Sequence, residues 1–175
     1  MEVIIRDAAV ADAETIFEIY YKTWLATYPN EAHGVLVSDI EHHYKELRTP
    51  EHREKDKARI RNIGTDARML VAEIGNTIVG TSNMVRGGER NKISSIYILP
   101  EFQGKGVGRK LFDTALLWFD KTKDIQVDVA TYNTKAITFY ESLGFVRTGE
   151  IFTEERFCMQ SGGIIPEERM IRKHT

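Results

Sequence analysis

Gln103-Gly104-Lys105-Gly106-Val107-Gly108 joins an apolar stretch, Ile96-Tyr97-Ile98-Leu99-Pro100, to a run in which Leu111, Phe112, Ala115, Trp118 and Phe119 recur at helical spacing. A glycine-rich turn entering a helix leaves several backbone N–H groups unpaired and pointing one way. The helix dipole adds partial positive charge there. Such a turn suits a phosphate or diphosphate, because glycine lets the backbone approach closely and take positive φ. The two commonest phosphate motifs do not fit. A dinucleotide fingerprint counted from Gly104 requires glycine where Arg109 stands. A P-loop requires glycine there too, followed by Lys and Ser or Thr, where Lys110 and Leu111 stand. A plain strand-to-helix loop, with glycines for tight packing, is the other reading of the turn.

What remains is Gln103-x-x-Gly106-x-Gly108. A second segment, Asn133 to Phe145, has its own physical logic. Asn133 is a good helix N-cap, and Gly144 is a good C-terminal stop. Ala136, Tyr140 and Leu143 share one helical face, with Phe139 at its edge. Phe139, Leu143 and Phe145 read as core packing, whereas Asn133 and Tyr140 carry polar ends. In this order, one helix and one strand apart, the two segments resemble the paired signatures Gln/Arg-x-x-Gly-x-Gly/Ala and Asn-x-x-Ala-x-x-Phe-Tyr-x-x-x-Gly-Phe. These belong to the GNAT superfamily, the acetyl-CoA-dependent N-acetyltransferases. The resemblance covers at least Met69 to Phe145.

That resemblance implies an α/β (α+β) fold: a mixed central β-sheet flanked by helices, with a splayed pair of parallel strands holding acetyl-CoA. It implies direct transfer of the acetyl group to a primary amine. It puts the coenzyme's diphosphate on Gln103, Gly104, Lys105, Gly106, Val107, Gly108, Arg109 and Lys110. The pantetheine arm lies along the backbone of Ile98 and Leu99, as an added strand would, with Asn133 and Tyr140 beside it. Lys105, Arg109 and Lys110 are either extra charge for the phosphates or solvated surface cations. Tyr140 is the expected proton donor to the departing thiolate. A phenol of pKa about 10 gives its proton to a thiolate whose acid has a pKa of about 8.5 against only modest resistance.

The incoming amine, with a pKa of about 10.4, is almost wholly protonated near pH 7 and must lose a proton. Many members of the family it resembles carry a carboxylate near the start of the central strand, where this chain has Asn91-Lys92-Ile93-Ser94-Ser95. Glu73, Asp128, His42, His43 or a chain of waters are the candidates left. His42 and His43 lack a third ligand at motif spacing, so no metal is expected. Acceptor choice is implied to lie with Trp24, Tyr28, the region from Glu31 to Glu46, and the loop after Phe152. Trp24 and Tyr28 are either aromatic walls or core. Glu31, Asp39, Glu41 and Glu46 either attract a cationic amine or sit on the surface. Trp24-x-x-x-Tyr28 followed by a long charged helix is similar to small microbial polyamine acetyltransferases, which points to spermidine or spermine. A protein N-terminal or lysine acetyltransferase is the alternative enzyme. A non-catalytic acyl-CoA-binding sensor is the alternative of another class.

The elements that must position these residues are legible in outline. Val3 to Arg6 reads as a strand, and Asp12 to about Ala26 as a helix with Ala13, Ile16, Phe17, Ile19, Tyr20 and Trp24 on its apolar face. Ser38 is the expected cap of a second helix ending near Leu47, and Thr49-Pro50 opens a third. Its continuation, Glu51 to Arg61, is dense in both charge signs and reads as a solvated helix or lid. Gly75-Asn76 marks a hairpin between Met69–Glu73 and Thr77–Met84. Ile93 to Leu99 is the central strand, and Ile125 to Val129 follows it in parallel by a right-handed crossover. Strands near Phe145–Glu150 and Glu168–Ile171 close the chain, leaving late edges able to pair with another copy.

The chain of 175 residues is 42% hydrophobic and 29% charged with a net charge of −2, which fits one domain over 1–175 and offers nucleic acid no broad basic face. Its one cysteine, Cys158, excludes an internal disulfide and reads as packing or surface. The segment from Met1 to Asp7 lacks a signal-peptide core, and no apolar run is long enough to span a bilayer, so the expected location is cytoplasmic, with no membrane partner.

Overall fold

The computed structural model describes residues 2–174; Met1 and Thr175, the ends of the expected 1–175 span, lie outside them. Seven strands form one sheet: β1 (Ile4–Asp7), β2 (Ala67–Ile74), β3 (Thr77–Arg86), β4 (Asn91–Ile98), β5 (Ile125–Ala130), β6 (Val146–Phe152) and β7 (Glu167–Arg172), in the order β1-β2-β3-β4-β5-β7-β6. Every neighbouring pair is antiparallel except β4 and β5, which run parallel. Between those two comes α4 (Val107–Trp118), and α5 (Thr134–Ser142) links β5 to β6. Val107, Leu111, Phe112, Ile137 and Tyr140 from these helices pack with Ile93, Ile98 and Val127 on one face of the sheet. On the other face lie α1 (Ala13–Thr27) and α2 (Val37–Leu47), with Phe17, Trp24, Tyr28, Ile40 and Tyr44 forming a second core. Outside α1 stands α3 (Pro50–Arg61), exposed except at Ile60 and a few partly covered positions. No described helix is long and apolar enough to cross a membrane.

The expected caps hold at two helices and move at a third. Thr49 Oγ1 accepts from His52 N at 3.3 Å, and Asn133 Oδ1 accepts from Ala136 N at 3.1 Å. Ser38, however, sits inside the first turn of α2. Asp39 does the capping, its carboxylate accepting from Leu36 N at 2.8 Å, because its longer side chain reaches back past the turn. In α5 the most deeply buried positions are Ile137 and Tyr140, while Ala136 is half-buried at the cleft.

Two departures from regular pairing shape the centre of the sheet. The β4–β5 ladder contains only Asn91–Ile125, Lys92–Gln126 and Ile93–Val127; past these residues the strands part. Across β4's other edge, Asn83 pairs with Ser95 but Met84 with Ile93, so Ser94 is a bulge. Side chains alternate along a strand, and an extra residue reverses the alternation. Ile93 before the bulge and Ile96 and Ile98 after it therefore all face α4, while Ser95 and Tyr97 face α1.

Candidate active site

At the open end of the split, Gly106 occupies the N-cap of α4 at φ +80°, with no side chain capping the helix. Gly104 has φ +72°. A Cβ added at either glycine would meet nothing within 4 Å, so the turn presents bare main chain to open space. The amides of the first helical turn have no intrahelical acceptor by construction. An uncapped amide cluster on the positive end of a helix fits a diphosphate. Gly108, within the first turn, packs under α5: a Cβ there would lie 3.2 Å from Phe139 Cζ. Gln103 does not face the turn; its Nε2 donates to Ile98 O at 3.1 Å and ties the turn to β4. Arg109 pairs with Asp113 at 2.9 Å, Lys110 donates to Val3 O at 3.3 Å, and Lys105 stands over Phe102. Arg109 and Lys110 thus have structural partners of their own.

The expected pairing edge shifts by one parity. Leu99 N donates to Val79 O at 2.9 Å and Leu99 O accepts from Phe102 N at 2.8 Å, so both its backbone groups are engaged. Leu99 therefore does not present the free edge that the resemblance implies. Alternation along the strand turns the backbone of Ile96 and the N–H of Ile98 toward the gap instead, the Ile98 carbonyl being held by Gln103. Tyr140 comes up from α5 into that gap, 5% exposed, and its hydroxyl has no protein hydrogen-bond partner among the described residues. Burial, with a smaller effect from Tyr97, pushes its pKa well above the usual phenol value, which keeps the O–H protonated. Asn133 lines the gap while capping α5.

From Tyr140 the gap continues under α1 as a cavity of about 360 Å³. Trp24 and Tyr28 line it, both buried. They converge on Tyr97: Trp24 Nε1 donates to Tyr97 Oη at 3.2 Å, and the Tyr28 and Tyr97 hydroxyls are 3.3 Å apart. Phe157 stacks on Trp24 with centroids 5.6 Å apart, and His43 on Trp24 at 5.4 Å. Burial holds the His43 imidazole below its ordinary pKa. Residues of α3, including Lys55, Asp56 and Arg59, close the distal end.

Several expected acids lie elsewhere. Glu73 is at the far end of β2, where it accepts from Arg6 at 2.6 Å, and it does not line the cavity. Asp39 caps α2 and holds Ser161, and Glu46 pairs with His42 on the surface at 3.2 Å; neither they nor Glu31 and Glu41 reach the cavity. Asp128 does line it, but bound to Lys92 at 2.7 Å and Arg169 at 3.2 Å. Two residues with no sequence signal as site residues are brought in. Tyr97 is one, re-aimed by the Ser94 bulge. Glu167 is the other, the first residue of β7 and paired across to Ala130. Among the described residues no group of three or more His, Cys, Asp or Glu is placed to hold a metal ion.

A seven-stranded sheet split at its parallel pair, with an uncapped glycine turn at the mouth of the split, is the architecture of the GNAT fold. Residues 65–147 match the acetyltransferase (GNAT) domain. Among curated proteins, the chain is 34% identical over 82 residues to N-alpha-acetyltransferase RimI of Mycobacterium tuberculosis, covering 45% of this chain and 51% of that protein. It is 31% identical over 94 residues to spermidine N(1)-acetyltransferase of Vibrio cholerae, covering 51% and 54%. The matched stretch thus spans about half the length of these relatives. Among solved structures, PaiA N-acetyltransferase from Thermoplasma acidophilum in complex with coenzyme A superposes with a TM-score of 0.71 at 21% identity, over 99% of both chains. A chimera of Vibrio cholerae spermidine N-acetyltransferase SpeG and hSSAT superposes at 0.67 with 24% identity, over 99% and 96%.

Proposed function

We propose that this chain transfers an acetyl group from acetyl-CoA to a primary amine, with a polyamine such as spermidine or spermine as the acceptor. The observation that carries the reading is the parting of β4 from β5 beside bare glycine amides, with the unpartnered Tyr140 hydroxyl in the gap. The main chain from Gly104 to Arg109 would hold the diphosphate, and the backbone of Ile96 with the N–H of Ile98 the pantetheine arm. Acetyl-CoA supplies the acyl group as an activated thioester. Tyr140 holds a proton for the sulfur, and its raised pKa keeps that proton in place across the physiological range. The walls of Trp24, Tyr28, Tyr97 and Phe157 exclude water and offer ring faces to an alkylammonium.

Likeness to spermidine acetyltransferases supports the polyamine. Likeness to a protein N-alpha-acetyltransferase favours a second reading, a peptide N-terminal amine. Release of free thiol from acetyl-CoA, measured with spermidine, spermine, amino-acid amides and short peptides, separates the two. Polyamines are expected to give the highest kcat/KM. A preference for peptides moves the assignment to the second reading. Tight coenzyme binding with no amine-dependent thiol release makes the protein an acyl-CoA sensor instead.

A further inference from the structure

The geometry points to Glu167 as the group that takes the proton from the acceptor's ammonium, an assignment that rests on the amine-acetylating reading above. Glu167 is 6% exposed, lines the cavity beside Tyr28 and Tyr97, and its Oε2 has no hydrogen-bond partner among the described residues. The buried acids around it are all engaged. Glu168, the next residue, accepts from Arg147 at 2.8 Å and from Gly149 N at 3.0 Å. Asp128 has Lys92 and Arg169. A buried oxygen left without a donor is unfavourable unless something supplies one, and a cation entering this cavity would do so.

The charged and titratable groups facing Glu167 are Tyr28 of α1, Lys92 and Tyr97 of β4, Asp128 of β5, and Glu154 and Arg156 of the loop after β6. Both facing cations are taken, Lys92 by Asp128 and Arg156 by Glu154 at 2.6 Å. Among the described residues Glu167 is left as a carboxyl without a counter-ion. Burial first, then the charge of Glu154, pushes it up to about 7, which matches a proton acceptor working near neutrality. The protons balance as follows. Glu167 takes one from the ammonium and passes it to solvent. The nitrogen lone pair forms the C–N bond as the C–S bond breaks, and the sulfur leaves with the bonding pair. Tyr140 gives its proton to the sulfur, and the second proton lost by the nitrogen restores the Tyr140 hydroxyl. One proton is released per acetyl transferred.

The test compares wild type, Glu167→Gln, Glu167→Asp and His43→Gln. In wild type, kcat/KM for the amine is expected to rise with pH and level off above about 7. In Glu167→Gln it is about 100-fold lower at neutral pH and keeps rising toward the amine's own pKa of about 10.4. Glu167→Asp keeps the levelling at a reduced rate, and His43→Gln keeps it too. Independently of turnover, carboxyl-carbon NMR of the coenzyme-free protein should show one glutamate resonance titrating near 7 that vanishes in Glu167→Gln. A resonance titrating near 4, or a Gln variant with the wild-type profile, overturns the assignment while leaving the acetyltransferase reading intact. Loss of the bend in His43→Gln alone gives the role to His43. Failure of wild type to release thiol with any amine brings down both.

Discussion

The two ends of the cleft are made of different material. At the proposed coenzyme end the groups presented are main-chain amides from one contiguous turn, and the side chains there are mostly tied elsewhere: Gln103 to β4, Arg109 to Asp113, Lys110 to Val3. At the acceptor end the backbone is paired and the side chains are the surface. Its partners come from far apart, as in the Tyr28–Tyr97 contact across 69 positions. The first kind of site is sensitive to an added Cβ and indifferent to charge. The second is sensitive to a single hydroxyl or carboxylate.

The largest effect expected is at the junction of the two ends. Tyr140→Phe should lower kcat by about 100-fold while leaving coenzyme A affinity unchanged by calorimetry; unchanged turnover would remove the hydroxyl from the chemistry. Next, Gly106→Val should weaken coenzyme A by tenfold or more, because a β-branched residue is strained at φ +80° and its side chain fills the cradle. Lys105→Ala should cost only a few-fold. If the lysine change exceeds the glycine change, the coenzyme end works by side-chain charge and the contrast fails. The smallest effect is on stability. Glu167 has a folded pKa of about 7 against about 4.3 unfolded. The native state therefore binds more protons in that window, and wild-type stability falls as pH rises from about 4 to 7. Gln does not titrate. Glu167→Gln should match wild type near pH 4 and melt higher at pH 8, by about 2–4 °C for each kcal/mol recovered. Parallel melting curves at both pH values would show that the carboxyl is not held as described.

The difference between the ends also explains what the sequence reveals. The glycine turn, the Asn133 and Thr49 caps and the Gly75-Asn76 hairpin are local, and their residue types state their backbone geometry. The acceptor end depends on registers that no short window contains. Glu167 falls one position before the strand expected from Glu168, and its burial arises only when β7 lies beside β5. Glu73 looks equivalent in sequence, but the sheet order places it with Arg6, three strands from β5. Ser38 loses its capping place to Asp39 by a single-residue shift. Leu99 loses the free edge to Ile96 because the strand's hydrogen-bonding parity is set by β3.

The single unpaired residue in β4 has a further consequence. A chain shortened by one at Ser94 would keep β4's composition and its loops, yet present it inside out. Ile96 and Ile98 would be thrust against Trp24, and the Tyr97 hydroxyl would be sealed among the aliphatic residues beneath α4. The polar lining of the cavity under α1 is thus decided by a count of residues as much as by their kinds.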